Sequence, residues 1–220
     1  LSSIIGQASK PDEIIVIDDG TTNDNSKEVI QNFYDVNKND FNIKIELNEV
    51  NKGVIATVNR GMEISDCDYF YFASADDYIL ADFVRLHKGA IDNSQPSLVV
   101  SDHNLPRQGP SQGLQDMGSY YIPGHCSSVK KEALFEFDCF IEEFNFKCDW
   151  FLFHSIALKY GWYTIQQTLS IKTNDADSHA NRAVSEGRHV PIIKAMESRV
   201  LTDPLFDDIR DEMLQLIRKQ

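Results

Sequence analysis

Two apolar runs that each end in paired aspartates constrain the fold of this chain most. Residues 13–17 read EIIVI and precede Asp18 and Asp19, whereas residues 69–73 read YFYFA and are followed, after two small residues, by Asp76 and Asp77. Short apolar runs without polar alternation predict buried strands of a parallel sheet. Open α/β sheets bind ligands beyond the carboxyl ends of their strands. Both acidic pairs are therefore predicted to lie at a ligand-binding edge.

The elements around these strands alternate along the chain. Helical spacing over residues 27–34 and 53–65, with an alternating strand over residues 43–47, gives the order helix, strand, helix, strand, helix, strand. This order predicts an α/β fold with a mostly parallel sheet flanked by helices. Later residues predict strands at 98–100 and 162–171 and a helix at 129–137. The Gly-, Pro- and Ser-rich residues 104–117 predict a flexible lid or substrate flap.

Two helices are predicted to close the chain, the second entered through Asp203 and Pro204 as cap and first residue. The second helix has an apolar stripe that consists of Leu205, Ile209, Met213, Leu216 and Ile217. Such a stripe can seal the core, pair two chains as a homodimer or lie peripherally on a membrane. The sequence leaves these three alternatives open.

The acidic composition excludes some classes of function. A net charge of −13 repels polyanions, so we expect no binding to nucleic acid, and an anionic small substrate would need a metal or a basic patch. No apolar run reaches the roughly 20 residues that span a bilayer, and the first residues do not form a signal peptide. We therefore expect a cytoplasmic protein, with any membrane association at the inner face. The four cysteines lack the spacing of a disulfide framework or a zinc site.

The adjacent carboxylates of Asp76 and Asp77 have two interpretations. They would repel each other without a nearby positive charge, and Mg²⁺ or Mn²⁺ bridging to a diphosphate would supply it. Alternatively, the acidic stretch begins a helix, with Ser74 or Asp76 as the cap and Asp77 stabilised by the helix dipole. These residues alone do not decide between the two.

Five segments of the chain together resemble the family-2 nucleotide-sugar glycosyltransferases of the GT-A fold. They read, in order, LSSIIGQASKPDEIIVIDDGTTND, NKGVIATVNRGMEI, YFYFASADDYIL, GHCSSVKKEAL and CDWFLFHSIALKYGW. The resemblance covers residues 1–178. It implies a nucleotide-binding half over residues 1–103 and an acceptor and catalytic half over 104–178, followed by a mobile segment and C-terminal helices over 179–220. Family members begin with a strand that precedes the first residue here, so we expect that strand to be missing from this chain.

The resemblance also implies a donor site. Asp18, Asp19, Gly20 and Thr21 would hold the nucleotide, and a helix that includes Asn59 would pack beneath it. The full set of donor-binding residues that the resemblance implies is Asp18, Asp19, Gly20, Thr21, Asn51, Gly53, Asn59, Asp76 and His125. Asp76 and Asp77 would ligate Mn²⁺ or Mg²⁺, although Ser74 replaces the first acid of the usual DXD pattern.

Asp149 matches the acid that inverting members use as catalytic base. A carboxylate within about 3 Å of an acceptor hydroxyl can take its proton as that hydroxyl attacks the anomeric carbon. The alternative is that Asp149 merely caps the helix that it opens. Cys148 stands where the family often has Glu.

The predicted function is therefore transfer of a sugar, with inversion, from a UDP-, GDP- or dTDP-sugar to a carbohydrate or glycolipid acceptor. The reaction would depend on a metal and serve the synthesis of bacterial surface polysaccharide or glycolipid. An alternative is a catalytically impaired nucleotide-sugar-binding or interaction module of the same fold, which Ser74 and Cys148 favour.

Overall fold

The computed structural model describes residues 1–103, 122–173 and 186–220. The predicted flap over residues 104–117 and most of the predicted mobile segment lie outside these ranges, and the proposed division at residue 178 stays a prediction. Helices and strands alternate through the first half of the chain as the sequence predicts. The helices are α1 Ser2–Ile5, α2 Ser26–Asn37, α3 Val54–Ile64, α4 Phe83–Ser94, α5 Lys131–Glu136, α6 Cys148–Tyr160, α7 His189–Thr202 and α8 Arg210–Ile217. The strands are β1 Ile14–Asp18, β2 Ile43–Leu47, β3 Tyr69–Tyr71, β4 Tyr78–Ile79, β5 Leu98–His103, β6 Ser127–Lys130 and β7 Tyr163–Ile171.

The sheet is mixed, so the prediction of a mostly parallel sheet is wrong in this respect, whereas the α/β class is confirmed. β1 and β2 pair in parallel, and a five-stranded sheet has the order β3-β6-β5-β7-β4. Only β5 and β7 are parallel within it. The difference arises from β6, which lies antiparallel between β3 and β5, in a segment whose sequence predicted only a helix.

A cavity of about 600 Å³ separates the two sheets. It is lined along one side by residues of β1 and along the other by residues 69–73. Within the described ranges β3 pairs only with β6, and it does so antiparallel, so the prediction of a parallel strand at residues 69–73 is wrong. The expectation of a preceding strand stays a prediction.

The main core lies between the five-stranded sheet and the helices of the second half. Helix α6 is buried over most of its length, from Trp150 to Leu158, because apolar residues occupy nearly all of its faces. Met196 of α7 and Met213 and Ile217 of α8 are completely buried in the same cluster. Of the three alternatives for the C-terminal stripe, the structure thus shows core packing. No helix of the described ranges has the length and apolar character needed to cross a bilayer.

Candidate donor and catalytic site

The first acidic turn is built by hydrogen bonds within the chain. Asp18 ends β1 and is only 4% exposed. Its Oδ1 accepts a hydrogen bond from the Thr21 amide at 2.9 Å, and the Lys27 ammonium lies 4.0 Å away. The buried carboxylate therefore fixes the turn that contains Gly20 and Thr21.

Asp19 holds a second loop against this turn. Its Oδ1 accepts hydrogen bonds from the Asn48 side chain at 3.1 Å and the Lys52 amide at 2.8 Å, and its Oδ2 accepts one from the Gly53 amide at 2.9 Å. Burial alone would raise the pKa of Asp19, but these bonds outweigh burial and lower the pKa. Asp19 is thus an ionised residue that organises the loop between β2 and α3.

Glycine is required at position 20 because the two loops touch there. Gly20 has φ +76°, and a Cβ on it would lie 2.5 Å from both the Asn51 nitrogen and the Val50 carbonyl carbon. Asn51 is exposed beside this contact, and its Oδ1 accepts a hydrogen bond from the Gly53 amide at 3.1 Å. The predicted donor residues from 18 to 53 thus lie in two loops that touch each other.

The second acidic pair lies in a turn between β3 and β4. The Asp77 amide donates a hydrogen bond to the Ser74 carbonyl at 3.4 Å, and α4 begins only at Phe83. The alternative that this stretch begins a helix is therefore wrong. Asp76 is exposed, whereas Asp77 is half-buried and its Oδ1 accepts a hydrogen bond from the Thr173 amide at 2.9 Å.

Both acidic turns lie at the same edge of the molecule. β1 and the segment before β3 start side by side, because the Glu13 carboxylate accepts hydrogen bonds from the Ser65 hydroxyl at 2.7 Å and the Asp66 amide at 3.3 Å. Both strands then run along the same cavity. Their carboxyl ends, which carry the acidic turns, consequently face the same side.

Asp149 lies in the first turn of α6, half-buried, with Lys147 at the cap position. Asp149 is therefore not the N-cap, although its Oδ1 accepts a hydrogen bond from the Trp150 amide at 2.7 Å. Burial raises the pKa of Asp149, opposed by that bond and by the charge of Lys172. Gly124 is a close neighbour of this carboxylate, since a Cβ at Gly124 would lie 3.6 Å from Asp149 Oδ2.

The structure also shows the surroundings of Cys148, His125 and Asn59. Burial raises the pKa of the Cys148 thiol to about 12, so it is not a nucleophile at neutral pH. His125 is 7% exposed in the short 3₁₀ turn that contains Gly124, so it is not an exposed loop residue. The Asn59 amide binds the backbone of Phe140 at both its nitrogen and its oxygen, at 2.8 and 3.1 Å. Asn59 thus joins α3 to the second half, and its donor-binding role stays a prediction.

Lys172 and Thr173 are the site residues that the sequence analysis missed. They follow β7 directly, and they reach Asp149 and Asp77, respectively, the first through its charge and the second through hydrogen bonds. The contact with Asp77 follows from the antiparallel pairing of β4 with β7. No local pattern in the sequence indicates that pairing.

The second acidic turn contains the described residues that could hold a cation, provided that a ligand completes its shell. No group of three or more His, Cys, Asp or Glu side chains that could hold a metal occurs within the described ranges. Mg²⁺ in nucleotide sites typically takes one or two carboxylates and completes its shell with phosphate oxygens and water. The carboxylates of Asp76, which is exposed, and of Asp77, which is half-buried, are the described groups that could supply such a donor set.

Acidic turns that follow the carboxyl ends of strands in an α/β fold are typical of a ligand-binding α/β domain. The profile of Glycosyl transferase family 2 matches residues 1–136, and the chain belongs to this family. A comparison with curated proteins gives no match.

Solved structures of GT-A glycosyltransferases share the fold, as the sequence resemblance implied. S. aureus TarS 1–349 in complex with UDP-GlcNAc has a TM-score of 0.73 and 16% identity, covering 97% of this chain and 65% of that one. The TarS complex with UDP gives 0.71 and 17%, with 97% and 64% coverage. The mannosyltransferase PcManGT from Pyrobaculum calidifontis, in complex with GDP-Man and Mn²⁺, gives 0.69 and 14%, with 98% and 64% coverage. The chain thus spans less than two thirds of these proteins.

Proposed function

We propose that the chain transfers a sugar, with inversion, from a nucleotide-diphosphate donor to an acceptor hydroxyl. The observation that carries this proposal lies at the end of β7, where Thr173 hydrogen-bonds to Asp77 and the charge of the neighbouring Lys172 acts on the carboxyl of Asp149. A cation-binding edge and a basic carboxylate are the two groups that such a transfer needs. Family membership supplies the reaction class.

The donor would lie along the edge formed by the two acidic turns. The loop around Gly20 and Asn51 would bind the nucleoside, with Asp18 and Asp19 shaping that loop rather than contacting the ligand themselves. His125 and Gly124 would line the sugar end, next to Asp149. TarS bound to UDP-GlcNAc and PcManGT bound to GDP-Man support a nucleotide sugar as donor.

A divalent cation, Mn²⁺ or Mg²⁺, would be held by the Asp76–Asp77 turn. When bound, it would offset the charge of the diphosphate as that group leaves. The presence of Mn²⁺ in the PcManGT complex supports this choice.

Asp149 would act as the base. Its carboxylate takes the proton of the acceptor hydroxyl while the hydroxyl oxygen bonds to the anomeric carbon and the bond to the diphosphate oxygen breaks on the opposite face. A base is most effective when its pKa lies near the working pH. The raised pKa of Asp149 therefore favours this role over that of a surface carboxylate.

The acceptor would be a carbohydrate or glycolipid of a bacterial surface polymer. A second candidate function is a binding module of the same fold that does not catalyse transfer. Ser74 favours it, because one carboxylate of the usual DXD pattern is absent.

The deciding experiment combines donor binding with product analysis. UDP-GlcNAc, GDP-mannose and a dTDP-sugar are screened for thermal stabilisation with and without Mn²⁺, because a bound ligand raises apparent stability by mass action. The stabilising donor is then incubated with candidate acceptors, and the products are identified by mass spectrometry and by the anomeric configuration of the new bond. Donor binding without product across acceptors would favour the binding module, and absence of donor binding would refute both.

Asp149→Asn tests the base. We expect transfer to fall by at least about a hundredfold while donor affinity changes little, since general base catalysis contributes on the order of 10²–10⁴-fold. Asp211→Asn is the matched control because Asp211 is also an acid in a helical first turn, but of α8 and exposed. Turnover that survived Asp149→Asn would contradict the assignment.

A further inference from the structure

The strand β2 has an open edge. It pairs in parallel with β1, and within the described ranges it pairs with no other strand. Its bonds to β1 come from even-numbered positions, since the Asn42 carbonyl accepts from the Ile14 amide and the Asn48 amide donates to the Asp18 carbonyl, both at 2.9 Å. Alternate residues of a parallel strand bond to the same neighbour, so the odd-numbered residues of β2 direct their backbone groups to the open edge. These residues are Ile43, Ile45 and Leu47.

The sequence of β2 is complementary to itself in the antiparallel direction. It reads IKIEL, and two copies paired about Ile45 bring Lys44 of each copy opposite Glu46 of the other. In the same pairing Ile43 lies opposite Leu47, and Ile45 lies opposite its own counterpart. One face of the paired strands is thus apolar, and the other face carries two pairs of opposite charge.

The backbone selects the same register. Residues that exchange hydrogen bonds alternate along an antiparallel pair with residues that do not, and side chains lie closest in the second kind. Ile45, which faces the open edge, exchanges both bonds with its counterpart, so Lys44 and Glu46 occupy the closest pairs. The two neighbouring registers that keep this hydrogen bonding place Lys44 or Glu46 opposite its own counterpart. Like charges in that position repel, so a single register is favoured.

The charge of the whole chain limits the strength of this pairing without preventing it. A net charge of −13 opposes association of two copies at low ionic strength. At about 0.15 M salt the Debye length is about 8 Å, whereas opposite residues of paired strands have Cβ atoms about 4.5–5.5 Å apart. The cross-strand pairs therefore act at a range where more distant charges are screened. Because β2 has 5 residues and stable interfaces have roughly 20–30 a side, we expect weak association.

We propose that the open edge of β2 binds a second copy of this chain, antiparallel and with the two-fold axis at Ile45. The pairing joins β1 and β2 of both copies into one four-stranded sheet. β2 ends at the loop that Asp19 holds, so the two candidate donor loops lie at opposite ends of the joint sheet. The proposal does not depend on the transfer reaction.

Sedimentation equilibrium of the whole chain at about 0.15 M salt, up to a concentration of about 1 mM, tests the dimer. We expect a monomer–dimer equilibrium that Glu46→Lys weakens on the order of tenfold or more, because both symmetry-related pairs become repulsive. Glu212→Lys is the matched control, since it makes the same change of charge at an exposed position of α8 and should not weaken the dimer. Absence of association in the wild type, or equal effects of the two variants, would overturn the proposal.

Oxidative cross-linking tests the register independently. Residues of a hydrogen-bonded antiparallel pair have Cα atoms about 5.5 Å apart, which suits a disulfide. Ile45→Cys should therefore give a covalent dimer in non-reducing electrophoresis after copper-catalysed oxidation. Ile43→Cys is the control, because position 43 lies roughly 13 Å along the strand from its counterpart. With both variants folded by circular dichroism, equal cross-linking, or none in either, would contradict the pairing about Ile45.

Discussion

Gly20→Ala should be the most damaging single-methyl substitution in the donor loop. The new Cβ would sit 2.5 Å from the backbone of Val50 and Asn51, which has no flexible end to rotate away. The φ of +76° adds the left-handed cost of about 1–2 kcal/mol for a residue with a Cβ. The neighbouring loop must therefore retreat by on the order of 1 Å, judged against ordinary van der Waals contact.

That displacement of the neighbouring loop determines how much stability Gly20→Ala loses. Asp19 accepts hydrogen bonds from two amides of the retreating loop, at 2.8 and 2.9 Å, and hydrogen bonds to a charged group contribute about 1.5–3 kcal/mol each. With one such bond lost and the backbone strain included, we expect a loss of about 4 kcal/mol in the free energy of unfolding. Donor affinity should fall with it, because the loop forms part of the proposed nucleotide surface.

Urea unfolding of three glycine variants separates the clash from the strain. Gly53 has φ +91° and ψ 150°, a backbone conformation open essentially only to glycine, but a Cβ added there would meet no atom within 4 Å, so Gly53→Ala should cost only the about 1–3 kcal/mol of backbone strain. Gly89 lies inside α4 with open space around it, so Gly89→Ala should stabilise the protein by about 0.5–1 kcal/mol. Equal destabilisation by Gly20→Ala and Gly53→Ala would refute the close approach of the two loops.

Three other substitutions have definite expected outcomes. Lys172→Met should move the acidic limb of the pH profile of transfer to higher pH, because the base form of Asp149 exists only above its pKa and Lys172 lowers that pKa. Lys44→Met should cost about 2–3 kcal/mol at pH 7 in urea unfolding, since it leaves the Glu13 carboxylate, 2% exposed, without the ammonium 2.7 Å away. Asn59→Ala should cost about 2 kcal/mol in the same assay, because two backbone groups lose their partner.

The Lys44 prediction has a defined pH dependence. Burial would raise the pKa of Glu13, but the bonds from Lys44 and Ser65 outweigh it, so the folded-state pKa is lowered. The stabilisation is therefore present above the unfolded-state pKa and is lost as pH falls through the lower folded-state value. The difference in the free energy of unfolding between wild type and Lys44→Met should therefore become smaller in acid. Lys38→Met is the control, because its 2.8 Å partner Asp35 is exposed and such pairs contribute about 0–1 kcal/mol; an equal cost for both would contradict the reasoning.

The sequence predicted the first half of the fold well because its signals there are local. Residues 43–47 alternate cleanly and form β2 over the same residues, and the run ending in Asp18 forms β1. β6 was missed because a four-residue strand of two serines, a valine and a lysine has almost no periodicity. Its conformation is set by the two strands that enclose it, which is a tertiary effect.

The sequence also predicted only those features of the candidate site that have local signals. The acidic turns were visible because Asp pairs after apolar runs are a local pattern. The hydrogen bond between Asp19 and the Lys52 amide joins residues 33 positions apart, and the one between Asp77 and the Thr173 amide joins residues 96 positions apart. No single-sequence pattern specifies such pairings, so the residues were found without all of their partners.

The cavity between the sheets bears on the order in which the parts of the protein unfold. β1 and β2 hydrogen-bond only to each other among the described strands, so no backbone ladder carries cooperativity from them into the five-stranded sheet. The connection depends mainly on side chains instead, among them Met62 in the main core, Asn59 bound to the Phe140 backbone and Glu13 bound to Ser65 and Asp66. Units joined in this way open independently at lower free energy than the whole. We therefore expect the nucleotide end of the protein to melt before the C-terminal core.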